Sequence, residues 1–327
     1  MAPTFDATST APQLVAALAN EIRGKTILTT GVSPGGIGAA FVEAIAIAQP
    51  STLILAGRNA AKVQATADAI TKANSGVKIR TLQLDLRSLG AVRAAAAEVL
   101  SWNDVSVIDV LVNNAGIMAV DFALTVDGFE SQLASNHLGP FLSTNLIMDK
   151  ISASKSPRVV NVSSDGHRLH PIRFADYNFD NGTLCNKWFA YGQSKTANIL
   201  TALWLAEKLG PKYGLHAFSL HPGVIGTNLG NHLNWDVEMT GLRDADKTLG
   251  NREGWEDFKF KTLEQGAATT VYAAFDPALK AHNGAYLQDC HVADPWTDTV
   301  KPWATSSVES ERLWKLSEKL VGQEFTY

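Results

Sequence analysis

The chain has 327 residues, 46% hydrophobic and 18% charged, with a formal net charge of −4. That length fits one decorated α/β domain, or a domain with a small appendage, and the apolar content allows a large core. No long Lys/Arg run is present, which speaks against a nucleic-acid partner, and two cysteines, Cys185 and Cys290, make no disulfide framework and point to reduced thiols in a cytoplasmic setting.

Residues 1–20 contain no basic residue and no long apolar stretch, so they do not read as a secretory signal. The most apolar run, residues 39–48, is interrupted by Glu43 and is far too short to span a bilayer. No metal is expected, because no His-x-x-x-His or Cys-x-x-Cys spacing occurs.

Leu14, Leu18 and Ile22 share a helical face, which predicts an N-terminal helical extension over residues 1–24. From there short β-branched runs alternate with Ala-rich helical stretches. Strands are predicted at 25–30, 52–56, 77–84, 107–112, 158–162 and 215–220. Helices are predicted at 36–49, 60–73, 89–100, 127–151 and 191–209. Strands apolar on both faces, separated by amphipathic helices, imply a doubly wound parallel sheet in a single α/β domain over residues 25–327. Ligands on such sheets bind beyond the carboxyl ends of the strands. Two stretches break the alternation: an insertion at 165–190 and a charged, aromatic segment at 226–261. The second is expected to be a mobile lid over a substrate, because a closing loop supplies a water-poor site. Its Leu233, Trp235, Met239, Leu242, Trp255, Phe258 and Phe260 suit a hydrophobic substrate, although they could also pack a small surface helix.

The segment from Thr29 to Gly38 follows the first strand and opens a helix. Gly31 would allow a tight turn, Gly36 a close approach to a pyrophosphate, and Gly38 close packing of helix on strand. The free N–H groups at the helix start would hold the phosphates. A P-loop is excluded, because Ile37 and Gly38 stand where Lys and Ser or Thr are required. The second predicted strand leads into Gly57-Arg58-Asn59, with no acidic residue to hold ribose hydroxyls. Arg58 instead offers a cationic fork for a 2′-phosphate, which favours NADP(H) over NAD(H). The plainer reading is a solvated Arg, mildly disfavoured at a helix start.

Tyr191 and Lys195 stand at i and i+4, on one face of a helix. Asn161-Val162-Ser163-Ser164 ends one strand, Asn113-Asn114-Ala115-Gly116 another, and His221-Pro222-Gly223-Val224 a third, while Asn136 lies in a helix. Taken together these motifs resemble the short-chain dehydrogenase/reductase family over residues 25–228, with a looser match at Asn283-Gly284-Ala285-Tyr286. The retinol-dehydrogenase-like branch and its fungal relatives are the most similar. The resemblance implies a Rossmann fold and simple redox chemistry. It makes Tyr191 the acid/base, has Lys195 bind the nicotinamide ribose and lower the Tyr pKa, and has Ser164 (Ser163 in the alternative) bind the substrate oxygen. Asn136 would anchor a relay water. Gly31, Ser33, Gly36, Ile37, Gly38, Arg58, Asn113, Ala115 and Gly116 would hold the cofactor, Asp85 and Leu86 would flank the adenine, and Pro222, Val224 and Thr227 would close over the nicotinamide.

A phenol titrates near pH 10, so lowering it by ~3 units to work as acid and base requires about 4 kcal/mol of differential stabilisation. Two departures from the family pattern stand out. The glycine turn has one residue more than usual, which leaves the contacts of Ser33 and Gly35 open. The spacing from Ser164 to Tyr191 is long, so the insertion would loop out and return at the substrate mouth. His137 reads as a packing residue, His221 as a strand-end residue near the cofactor, His167 and His170 as solvated, and Cys185 as a possible substrate contact. The competing reading is a catalytically inactive NADP-binding sensor or scaffold; loss of Tyr, Lys or Ser would have favoured it, and all are present. The sequence leaves the identity of the small-molecule substrate and the oligomeric state open.

Overall fold

The structure, a computed structural model, describes residues 4–327. Helices α1 (Ala11–Ala17) and α2 (Ala19–Ile22) open the chain. The Gln13 side chain accepts from the Thr10 backbone N–H at 2.9 Å and sets the start of α1. Leu14, Leu18 and Ile22 are buried, as their spacing predicts, and join the core around Phe41 and Val271. Residues 1–3 of the expected extension lie outside the described residues.

The alternation then follows: β1 (Thr26–Thr30), α3 (Ile37–Ala46), β2 (Thr52–Gly57), α4 (Ala60–Ala73), β3 (Lys78–Gln83), α5 (Leu89–Ser101) and β4 (Val110–Asn113). Asn59 and Ser88 cap α4 and α5 by accepting from Lys62 N and Ala91 N, each cap contributing about 1 kcal/mol. The helix expected over 127–151 starts later. Residues 124–130 instead fold back, with Gly128 at φ +81 and Leu124 bridged to Glu130. The Glu130 carboxylate then caps Gln132 N and Leu133 N, each at 2.8 Å. Beyond it the helical path runs through α6 (Ser131–Leu133), a π-helical turn (Ala134–Leu138), α7 (Gly139–Leu146) and α8 (Met148–Ser152).

After β5 (Arg158–Val162) the insertion forms two 3₁₀ turns and lies along the long helix α9 (Lys187–Tyr213). Asn186 accepts from Trp188 N at 2.9 Å, so α9 begins one turn before the predicted start. There follow β6 (His216–His221), β7 (Val224–Ile225), α10 (Trp235–Thr248), β8 (Phe260–Lys261), α11 (Leu263–Phe275), β9 (Tyr286–Gln288), β10 (His291–Val292) and α12 (Ser307–Val321).

The main sheet has the order β10-β9-β6-β5-β4-β1-β2-β3, and only the β9–β10 pair is antiparallel. Leu28 of β1 pairs with Ile54 of β2 on one side and Leu111 of β4 on the other, so the strand order reverses at β1. The crevice beyond β1 and β4 is therefore the switch point. Helices cover both faces. One core gathers α1, α3 and α11, and the other joins α5, α7, α9 and α12. In the second core Trp204 and Trp314 stack with ring centres 3.3 Å apart.

Candidate active site

A single cleft of 950 Å³ runs along the carboxyl ends of the strands, from Arg58 at one end to Trp235 and Phe258 at the other. At its near end Gly31 takes φ +75, and a Cβ there would lie 2.6 Å from the Cα of Ala115, so the turn after β1 and the end of β4 touch backbone to backbone. Asn114 fixes that contact: its Nδ2 donates to the carbonyls of Thr30 and Gly31 at 2.9 and 3.0 Å. The sequence reading passed over Asn114, and its position between Asn113 and Ala115 was the available signal. Asn113 itself faces inward, donating to Thr144 and Asn161 at 3.0 Å each, and is not among the residues lining the cleft.

Ser33, Gly35, Gly36 and Ile37 line the cleft at the start of α3. Gly36 is the N-cap residue, and Gly38 packs against the Gly31 carbonyl and Asn114. The extra residue of the turn has a partner, since Asn228 Nδ2 donates to the Pro34 carbonyl at 2.9 Å. Further along, Arg58 stands exposed after β2, with Lys62 and Arg87 beside it on the cleft wall. Arg87 pairs with Asp85 at 3.0 Å; a hydrogen bond from Arg87, ahead of the pull of Arg58, lowers the Asp85 carboxyl pKa. Leu86, Ala115, Gly116, Pro222, Val224 and Thr227 also line the cleft.

The strand ends and α9 bring the remaining residues together. Tyr191, Lys195, Ser163 and Ser164 all reach the cleft. The two serines are distinguished by their bonds. Ser163 Oγ donates to the Lys195 carbonyl at 2.7 Å and ties β5 to α9, whereas Ser164 Oγ accepts from Gly166 N at 3.0 Å and, like the Tyr191 ring, lies against Gly166. Lys195 Nζ donates to the Val162 carbonyl at 3.0 Å. Asn136 sits in the π-helical turn, its Oδ1 accepting from Ile117 N at 2.8 Å and its Nδ2 donating to Ser194 at 2.9 Å. A π turn releases a backbone carbonyl from the regular ladder, a device often found at functional sites.

Burial pushes the Tyr191 phenol up to about 12, outweighing the lowering by Ser164, and pushes the Lys195 ammonium down to about 8. Without a bound nicotinamide, desolvation of the buried phenol exceeds what its neighbours return.

The histidines of the insertion are corrected. His167 is fully buried, its Nδ1 2.8 Å from the Ser164 carbonyl, and burial holds it neutral with a pKa of about 4. His170 is half-buried. His137 packs against Ser317 as expected, and His221 lines the cleft. Cys185 and Trp255 are not among the lining residues. The 226–261 segment supplies Leu229, Trp235, Met239, Leu242, Phe258 and Phe260 to the far wall.

An α/β sheet with a glycine turn at its switch point and a Tyr–Lys pair at its rim defines a class, the nucleotide-dependent oxidoreductases. The comparisons with known proteins make it definite. Residues 25–178 match the family model for short chain dehydrogenase. The chain is 36% identical to short-chain dehydrogenase/reductase prx1 of Penicillium rubens, over 92% of this chain and 86% of that protein. It is 36% identical to the chloroplastic short-chain dehydrogenase TIC 32 B of Brassica napus (90% and 88%) and 34% identical to human retinol dehydrogenase 14 (92% and 87%). An uncharacterized Mycobacterium paratuberculosis protein of known structure superposes with a TM-score of 0.67 at 31% identity, over 94% of this chain and 98% of that one. The chain belongs to the short-chain dehydrogenase/reductase family of oxidoreductases and is retinol-dehydrogenase-like.

Proposed function

We propose that the protein is an NADP-dependent oxidoreductase acting on a carbonyl or alcohol carbon of a hydrophobic small molecule, with Tyr191 as acid/base. The observation that carries this reading is one continuous cleft that holds the glycine turn and Arg58 at one end and Tyr191, Lys195 and Ser164 at the other. The residues present fit a dinucleotide. A Cβ on Gly116 would lie 3.4 Å from Lys195 Nζ and 3.2 Å from Asn136 Oδ1, so a glycine here leaves room in front of the ammonium that a side chain would crowd. Gly31, Ser33, Gly36 and Ile37 would cradle the pyrophosphate at the start of α3, and Arg58 a 2′-phosphate. When bound, the nicotinamide supplies or accepts the hydride.

The chain's own residues do the rest. Ser164 Oγ orients the substrate oxygen, and Tyr191 delivers or removes its proton. Lys195, held by the Val162 carbonyl, places positive charge beside the site and would hold the nicotinamide ribose. Val162 and Asn136 keep Lys195 and Ser194 in register along α9. The apolar far wall keeps water from the reacting carbon. We keep a cytoplasmic setting as part of this reading: both cysteines are free, and no helix among the described residues is long and apolar enough to cross a membrane. Following NADPH and NADH oxidation against a panel of hydrophobic ketones and aldehydes tests the reading. Turnover with NADPH preferred supports it; tight NADPH binding without turnover on any of them would instead mark an inactive sensor.

A further inference from the structure

The loop after Ser164 enters a buried ion network that the reading above leaves unused. Ser164 Oγ accepts from Gly166 N at 3.0 Å and donates to Asp165 Oδ1 at 3.1 Å. A hydroxyl has one proton, so these two bonds aim it. The other Asp165 oxygen meets Arg168 at 2.9 Å. Arg168, 1% exposed, reaches on to α10 and grips Asp246 with two bonds of 2.8 Å, while Glu253 stands 3.7 Å away. Asp246 is fully buried, and Asn251 Nδ2 donates to it at 3.0 Å. Beside this, Leu242 and Ala245 of α10 pack with Leu169 and Trp188. One helix of the substrate wall is thus ion-paired to the residue that follows the serine.

Three carboxylates surround a single guanidinium, and of the three it is Asp165 that acts on Tyr191. The charged and titratable groups facing this corner are Asp165 and Arg168 from the loop, His167 behind them, Lys195 on α9, His221 at the end of β6 and Tyr286 on β9. His221 Nδ1 lies 3.8 Å from Asp165 Oδ1. The hydroxyl of Tyr286 is buried without a hydrogen-bond partner.

We propose that Asp165 is a positioning residue for Ser164 and Tyr191, and that the Arg168–Asp246 pair locks α10 to it so that substrate wall and catalytic pair hold one geometry. The proposal rests on the function read above. Arg168 draws charge from Asp165 and so weakens its hold on the Ser164 proton, which can then swing from the carboxylate to a substrate oxygen. The carboxylate also opposes ionisation of the neighbouring phenol.

Asp165→Asn, Asp165→Glu and Asp246→Asn test this in the full-length protein. In Asp165→Asn, kcat for carbonyl reduction should fall about tenfold, less than for loss of the acid itself, with the NADPH Kd within about twofold. The basic limb of its kcat/KM profile should move to lower pH, because the phenol loses a neighbouring negative charge; a merely structural role would leave that limb in place. Asp165→Glu should restore part of the rate. Asp246→Asn should raise KM for the carbonyl and speed hydrogen exchange in α10 of the cofactor-free protein, with the pH limb unmoved. An active wild type whose Asp165→Asn variant keeps the limb and kcat overturns the positioning role, and unchanged KM and exchange in Asp246→Asn overturn the lock. A wild type that reduces no carbonyl marks failure of the underlying function and removes the positioning role with it, while exchange in α10 still decides the lock.

Discussion

Lys195 places its ammonium 3.0 Å from the Val162 carbonyl and 5.6 Å from the ring centre of Tyr191, so the end of β5 fixes the cation beneath the phenol. Full enclosure makes that cation costly, and its pKa falls to about 8. The cofactor-free protein therefore carries a charge at neutral pH that its surroundings do not fully compensate.

A stability profile should show this. The folded-state pKa of Lys195, about 8, lies below the usual 10.5, so between these values the unfolded chain binds more protons than the folded one. Stability therefore rises with pH across that window, and the full penalty applies below pH 8. Lys195→Met should stabilise the cofactor-free protein at pH 7 by up to about 3 kcal/mol and flatten the profile above pH 8. Asn198 Nδ2, 3.2 Å from the Val162 carbonyl, keeps that acceptor satisfied in the variant. Urea melts at several pH values check this; a variant no more stable than wild type at pH 7 contradicts it. The same variant should lose activity, the usual exchange of function for stability.

Tyr191→Phe should reduce turnover by ~10²–10⁴ and leave NADPH binding nearly intact, since the ring still packs and only the proton donor is lost. Steady-state rates and cofactor titration measure both. Turnover within a factor of about three of wild type removes Tyr191 from the chemistry.

Arg58→Ala should weaken NADPH by about 1.5–3 kcal/mol and NADH little, because one charge-assisted phosphate contact is lost. Lys62 and Arg87 share that wall, so a residual preference should remain, and Arg87→Ala should reduce it further. Equal losses for the two cofactors would show that Arg58 does not read a phosphate.

Much of this was legible in the sequence because local rules and topology agreed. The Thr26–Thr30 strand, the glycine turn and the Tyr191–Lys195 spacing each fix a position beyond a strand end, and the parallel sheet brings those positions together. What was missed depends on tertiary partners. His167 looks like a solvated loop residue, yet its burial is set by Tyr286 and Lys301, which come from far along the chain and join the local contact with Ser164. Asn113 carries a motif position but spends its side chain between strands, whereas Asn114 does the stapling. Helices α11 and α12 were readable from their caps, Thr262 with Gln265 and Ser306 with Glu309, but they lie beyond the motifs that drew the reading. The π turn at Asn136 has no sequence signature, since Ala134–Leu138 is compatible with an ordinary helix.

The aromatic residues of the 226–261 segment separate by position. Trp235 lines the cleft at the start of α10, with its ring centre 6.4 Å from that of Trp188. Trp255 is 64% exposed and lies off the lining. Both looked equivalent by composition, but only Trp235 lines the cleft. Trp235→Ala should therefore lower kcat/KM for a hydrophobic carbonyl by about tenfold, close to the worth of a lost aromatic contact, without changing NADPH affinity. Trp255→Ala should stay within about twofold of wild type, as an exposed side chain away from the site. A small polar carbonyl should be affected less by Trp235→Ala than a bulky apolar one, because the loss is one of apolar burial. Parallel kcat/KM series on the two substrates decide it: equal losses on both would make Trp235 a scaffold residue, and a larger loss in Trp255→Ala would move the substrate wall to the other end of α10.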